Sequence, residues 1–144
     1  MLGHSALGYR DGWLYVAFRT SGEVIRVRLN DPETAELLAE FEPFDRETGR
    51  SANITDLDLG PDGDVYVVSA KPARVFRFTP DPAAIRDYRD GTEAWLDLAE
   101  MTQNPQMKSE NVLVAGDGAV YVTSGDAYRD DQAAGLGGTV WVYR

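Results

Sequence analysis

The sequence predicts an all-β fold, a β-propeller made of three blade repeats of four antiparallel strands, with the last blade incomplete. A turn that ends in glycine occurs three times, and a tyrosine lies three residues later in each following strand: Gly12 and Tyr15, Gly63 and Tyr66, Gly118 and Tyr121. The turn glycines are 51 and 55 residues apart. A repeat of about 40 to 50 residues with four short strands is typical of propeller blades, and extra length falls in loops.

The first blade repeat covers about residues 4–52. Strands are predicted at 5–9, 13–18 and 24–29, because apolar, β-branched and aromatic residues fill them and glycine-containing turns separate them. Residues 33–41 (ETAELLAEF) have the alanine and leucine content of a helix, but they fall where an outer fourth strand belongs. We favour the strand and keep the helix as the alternative.

The second blade repeat, at about residues 53–108, has the clearest pattern. Its Pro-Asp-Gly turn at 61–63 is chemically specified, since proline presets φ, aspartate bonds nearby backbone and glycine supplies a positive φ. Strands are predicted at 54–59, 65–68 and 75–78, and a fourth at 94–98. Residues 83–89 are predicted to form a helical turn, and residues 100–108 a loop.

The third blade repeat, at about residues 109–144, has predicted strands at 111–115, 119–124 and 139–143, with a long loop at 125–138. No fourth strand is predicted for it. Three blades do not close a ring of about 4 to 8. We therefore interpret residues 1–144 as a single module, half of a six-bladed ring. The other half would come from a homodimer or from a complementary propeller segment.

Composition limits the classes of partner. The formal charge is −10, which argues against nucleic acid and against anionic membranes. The chain has no cysteine, so disulfides and thiolate metal sites are excluded. The first ten residues do not form a signal peptide, and no apolar run is long enough to span a bilayer. Localisation stays open, and an extracellular or periplasmic parent with its signal outside this chain is compatible.

The run DLDLGPDGDVYV at residues 56–67 resembles the NHL-type and gluconolactonase-like six-bladed propellers, and the likeness extends over the three repeats. The resemblance implies a divalent cation such as calcium at the mouth of the central channel. Its ligands would lie at the starts of innermost strands, about eight residues before a turn glycine. That spacing falls on His4, Thr55 and Glu110. The candidate metal ligands are Glu110 and Asp56. The alternative is that Asp56 and Asn111 shape strand entries through local backbone bonds.

A second, local resemblance is to the soluble quinoprotein sugar dehydrogenases, six-bladed propellers that use pyrroloquinoline quinone and calcium. Residues 121–127 (YVTSGDA) and 137–140 (GGTV) carry it. No catalytic residue carries over, because such a site needs a histidine base and His4 is the one histidine in the sequence. Asp126, Asp130 and Asp131 lack the alternate spacing of a calcium loop, which favours a solvated acidic loop.

The sequence predicts no catalytic residue, and it leaves open whether the chain is an enzyme. Trp13, Trp95 and Trp141 fall on strand positions, so we expect core or inter-blade packing rather than a stacking platform for a sugar ligand. Two functions follow as expectations. The first is a non-catalytic binding or scaffold module that acts through one ring face on a small molecule, sugar or other ligand. The alternative is half of a metal-dependent lactonase-like or quinoprotein-like sugar enzyme, with its site at the central channel.

Overall fold

A computed structural model describes residues 5–49, 53–124 and 138–144. The predicted all-β fold is confirmed, and the three sheets form part of a β-propeller. Within the described ranges, no helix is long and apolar enough to cross a membrane. His4, Asp126, Asp130 and Asp131 lie outside the described residues.

The first blade is a five-stranded sheet in the order β1-β2-β3-β4-β8. Its strands are β1 (Ser5–Arg10), β2 (Trp13–Phe18), β3 (Glu23–Arg28), β4 (Asp31–Phe41) and β8 (Arg86–Tyr88). The first four are antiparallel neighbours in chain order. The preference for a strand at 33–41 is confirmed. Pairing with β3 and the ion pair between Arg26 and Glu36, at 2.6 Å, override the helical composition of this segment.

The second and third blades repeat the antiparallel meander. The second has the order β5-β6-β7-β9 and the third the order β10-β11-β12. The strands are β5 (Ile54–Leu59), β6 (Val65–Ser69), β7 (Arg74–Phe78), β9 (Leu96–Asp97), β10 (Ser109–Val114), β11 (Val120–Ser124) and β12 (Val140–Tyr143). The turn glycines Gly12, Gly63 and Gly118 have φ of +82°, +89° and +85°, the left-handed region that the predicted turns require.

The prediction of a helical turn at 83–89 is wrong. This segment contains β8, which pairs in parallel with β4 of the first blade, with Tyr88 opposite Phe41. Tyr88 is buried, and its ring lies 5.1 Å from that of Phe41 and 5.0 Å from that of Phe76. Burial of this aromatic side chain stabilises the extended strand.

The first two residues of the predicted loop at 100–108 belong instead to a short helix, α1 (Leu98–Met101). Asp97 caps its N-terminus by accepting a hydrogen bond from the Glu100 backbone N–H at 2.9 Å. The fourth strand of the second blade is therefore only two residues long, shorter than the predicted 94–98.

The blades pack face to face, and each first strand lies beside the first strand of the next blade. A Cβ at Gly8 of β1 would lie 2.7 Å from Leu57 Cδ2 of β5, so a larger residue at this position would require the Leu57 side chain to move. One apolar core fills the space between the first and second blades, and another that between the second and third. The second blade is thus covered on both faces.

Candidate functional site

Thr55 and Glu110 occupy equivalent irregularities at the starts of two innermost strands. The β5–β6 register shifts between Ile54 and Asp56, and the β10–β11 register shifts between Ser109 and Asn111. Each shift leaves one residue, Thr55 or Glu110, outside the regular pairing. Bulges of this kind re-aim side chains and are common beside functional sites. The eight-residue spacing from the turn glycine thus falls on a register shift in both of these blades.

Asp56 links the second blade to the third. Its half-buried carboxylate accepts a hydrogen bond from the Val112 backbone N–H at 2.9 Å and from the Asn111 amide at 3.5 Å. The Val112 donor is 56 residues away in sequence. This long-range contact differs from the predicted local strand-entry bond.

Asp58 repeats the contact two residues later. Its carboxylate accepts hydrogen bonds from the backbone N–H groups of Val114, at 2.7 Å, and of Leu59, at 2.8 Å. The bond from Val114 satisfies a backbone donor at the inner edge of β10 and ties the two innermost strands together, whereas the bond from Leu59 lies within β5. Sequence reasoning missed this role, although the D-L-D-L alternation placed both aspartates on one face of β5.

Glu110 is exposed. Among the described residues, no group of three or more histidine, cysteine, aspartate or glutamate side chains is arranged to hold a metal ion. The structure thus places Glu110 and Asp56 on adjacent innermost strands without assembling a full ligand set around them in the described part of the chain.

The three tryptophans lie in packing positions. Trp95 contacts the rings of Tyr66, at 5.5 Å between centroids, and Tyr143, at 4.9 Å. Trp141 packs against the core between the second and third blades. The ring of Trp13 is covered by two guanidinium groups, those of Arg26 and Arg28, at 4.2 and 4.4 Å from its centroid. This arrangement leaves little of the Trp13 face for a sugar.

A groove of about 350 Å³ lies between the turns of the first and second blades, at the end opposite the bulges. Its charged side chains are engaged within the protein. Arg10 donates to the carbonyl oxygens of Gly60 and Pro61. The pKa of Asp62 is held below its ordinary value, mainly by the hydrogen bond from the Asp64 backbone N–H and also by the positive charge of Arg77. These groups brace the two turns.

Among the residues that the structure describes, none covers the outer faces of the two end sheets. The face of the first blade turned away from the second, here called the first outer face, carries Leu7 and Tyr9, which are 62% and 63% exposed. The face of the third blade turned away from the second, the third outer face, carries Leu113, Val140 and Val142 at 60%, 56% and 49%. Large apolar residues clustered on one face mark interaction surfaces.

The third outer face is more apolar than its counterparts within the module. Pairing with the blade tyrosines makes Val142 equivalent to Arg26 and Arg77. Both arginines are held by carboxylates, Arg26 by Glu36 and Arg77 by Asp64 at 2.9 Å. The third blade therefore has an exposed valine, Val142, where the first and second blades each have an arginine paired with a carboxylate.

No family model and no curated protein matches the chain in sequence. Solved structures do match. Virginiamycin B lyase from Staphylococcus aureus aligns with a TM-score of 0.58 and 13% identity over 99% of this chain and 41% of the lyase chain. Regucalcin from Agrobacterium tumefaciens, described as a calcium-binding protein, gives 0.58 and 14% over 95% of this chain and 44% of its own. A luciferin-regenerating enzyme gives 0.57 and 14%, covering 95% and 43%.

These three neighbours are all β-propellers of the gluconolactonase-like kind, and identities this low establish the fold alone. The chain spans less than half the length of each of them. Its structure is accordingly that of part of a β-propeller, and in the described part of the chain a sheet face at either end is exposed.

Proposed function

We propose that this chain is a non-catalytic propeller module that binds or scaffolds through one face of a six-bladed ring. It completes that ring with further blades, supplied by a second copy or by another propeller segment. The observation that carries this proposal is the pair of apolar outer faces at opposite ends of a module whose central blade is fully covered.

Exposed leucine, valine and tyrosine side chains on these faces favour assembly. Burying a side chain of this size contributes about 1.5–3 kcal/mol relative to exposure. Leu7, Leu113, Val140 and Val142 together could therefore offset part of the entropy cost of association. Repeat proteins require such coverage, since each repeat buries its apolar surface only against its neighbours.

A tandem fusion of two full chains tests this function directly. The third blade of the first copy then precedes the first blade of the second copy, as blades follow one another within the chain. We expect the fusion to unfold at a higher urea concentration than the single chain at low protein concentration. The same fusion with Leu113→Asp in both copies is the control, and it should lose the gain. Equal midpoints for the fusion and the single chain would contradict the proposal.

The bulges at Thr55 and Glu110 support a second candidate, half of a metal-dependent lactonase-like or quinoprotein-like sugar enzyme with a cation in the channel. Regucalcin, one of the structural neighbours, is described as calcium-binding. Carboxylate oxygens of Glu110 and Asp56 are suitable ligands for a hard cation.

Thermal unfolding with and without millimolar calcium tests this candidate, because an ion that binds only the folded state raises the melting temperature. We expect Glu110→Ala to abolish the shift, while Glu47→Ala, which removes another exposed glutamate, keeps it. No shift in the unmodified protein would exclude the cation site.

A further inference from the structure

Resting on the proposed ring, we infer that the missing half is a second copy of this chain, joined head to tail. In this arrangement the third outer face of one copy covers the first outer face of the other. Leu113 lies against the partner's Leu7 and the partner's Tyr9. Two such contacts, related by a two-fold axis, close a ring of six blades.

Strand register identifies which residues correspond between blades. The blade tyrosines Tyr15, Tyr66 and Tyr121 pair with Gly8, Asp58 and Leu113, so these three residues occupy one position of the innermost strand. By the same register, Leu7 and Tyr9 of β1 correspond to Leu57 and Leu59 of β5.

The contact between the first and second blades then gives the geometry of the new interface. A Cβ at Gly8 would lie 2.7 Å from Leu57 Cδ2 and 3.4 Å from Leu59 Cγ. The innermost position held by Gly8 therefore faces those two leucines of the next blade. Leu113 holds that position in the third blade, and Leu7 and Tyr9 hold the facing positions in the first.

The contact between the second and third blades shows that a side chain branched at Cγ is accommodated at this position. Asp58, which branches at Cγ as leucine does, occupies it and reaches the Val114 backbone of the next blade at 2.7 Å. Leu113 replaces its hydrogen bonds with apolar contact. The partner's exposed Leu7 and Tyr9 provide the apolar surface for that contact.

The second and third strands of the blades match in the same way. Val140 corresponds to Val24, which is fully buried against the second blade. On the first outer face, four residues correspond to the second-blade residues that cover Val24 and its neighbours: Leu14 to Val65, Val16 to Val67, Ile25 to Phe76 and Val27 to Phe78. The chain thus carries at its two ends the two complementary halves of an interface that it already forms internally.

This complementarity favours a second copy over an unrelated partner. Two copies also provide about the length of the propellers to which this chain is similar, since it covers 41–44% of each. Pairing of like faces would instead place Leu113 against Leu113, a contact that has no counterpart among the packed blades.

Cysteine cross-linking tests the arrangement, because the sequence contains no cysteine. The test uses two variants of this chain, Leu113→Cys and Leu7→Cys, which are mixed, oxidised mildly and separated by denaturing gel electrophoresis without reductant. A disulfide-linked dimer is expected in the mixture and in neither variant alone. Met101→Cys mixed with Leu7→Cys is the control, since Met101 is 62% exposed but lies on neither outer face. This control should give no dimer.

Two results would overturn the inference. A dimer formed by Leu113→Cys alone would mean that like faces pair, while self-association itself would stand. No dimer in any mixture would mean that a second copy is not the partner. The tandem fusion then decides independently whether the outer faces accept further blades, because fusion removes the need for two chains to associate.

Discussion

The second and third blades have similar strands but opposite environments. Val75 and Val140 occupy the same register position, yet Val75 is fully buried and Val140 is 56% exposed. The second blade has a neighbour on each face, whereas the described residues provide the third blade with a neighbour on one face only. The difference shows that burial in this fold depends on the adjacent blade more than on the strand's own sequence.

The two internal interfaces also differ near the innermost strands. Between the first and second blades, Gly8 allows close apolar contact with Leu57. Between the second and third, the carboxylates of Asp56 and Asp58 bind backbone N–H groups. One position can therefore join blades by packing or by hydrogen bonding. Four predictions would break or sharpen these comparisons.

The largest effect is expected at the aromatic cluster between the first two blades. Phe76 is buried and contacts Phe41 edge to face at 4.9 Å between centroids. Phe76→Ala should lower the free energy of unfolding by about 3–5 kcal/mol, because it leaves a cavity in the core. Urea denaturation measures it. Phe44→Ala is the control, since Phe44 is 45% exposed and its loss should cost far less.

The hydrogen-bonded interface should be the next most sensitive. Asp58→Ala removes a charged acceptor from two backbone donors and should cost about 1.5–3 kcal/mol in urea denaturation. Asp58→Asn keeps an acceptor oxygen and should cost less. Equal losses in the two variants would mean that Asp58 does not act through these hydrogen bonds.

A matched pair of substitutions tests the difference in burial itself. Val75→Thr places a hydroxyl in the core and should cost about 1–3 kcal/mol. Val140→Thr, at the equivalent exposed position, should change the stability of the single chain by less than about 0.5 kcal/mol. It should instead weaken assembly. A large loss from Val140→Thr in an isolated chain would show that the third outer face is already covered.

The smallest effect concerns pH. Burial alone would raise the pKa of Asp97, but hydrogen bonds from the Glu100 backbone and from Arg74 outweigh it and hold this pKa below its ordinary value of 3.8. The resulting stability is present above about pH 4 and is lost as the pH falls through the folded-state pKa. The urea midpoint of Asp97→Asn should therefore fall less between pH 7 and pH 3 than the midpoint of the unmodified chain does. An unchanged fall would assign acid sensitivity to other groups.

Much of the fold could be predicted because turn chemistry and strand alternation are local. Residues 61–63 specify their turn, and the three glycines adopt the required φ. The strand at 86–88 could not be predicted, since it depends on the packing of Tyr88 against Phe41, which is far away in sequence. The helix that Asp97 caps was missed because its four residues carry no periodic pattern.

The candidate site could be predicted only in part. Spacing from the turn glycine located Thr55 and Glu110, and the structure shows that both lie at bulges. The hydrogen bond from Val112 to Asp56 was beyond sequence reasoning, because it depends on how one blade is rotated against the next. The count of three blades predicted an incomplete ring, but the residues that form the apolar outer faces could be identified only from the strand register.

Light scattering on the unmodified chain tests the account most directly, because the account requires three blades to acquire three more. The expected molar mass is twice the 15.9 kDa of one chain. In Leu113→Asp, which places a carboxylate on the third outer face, the molar mass should fall towards 15.9 kDa. A mass of 15.9 kDa at every protein concentration, from a chain that unfolds cooperatively, would contradict it.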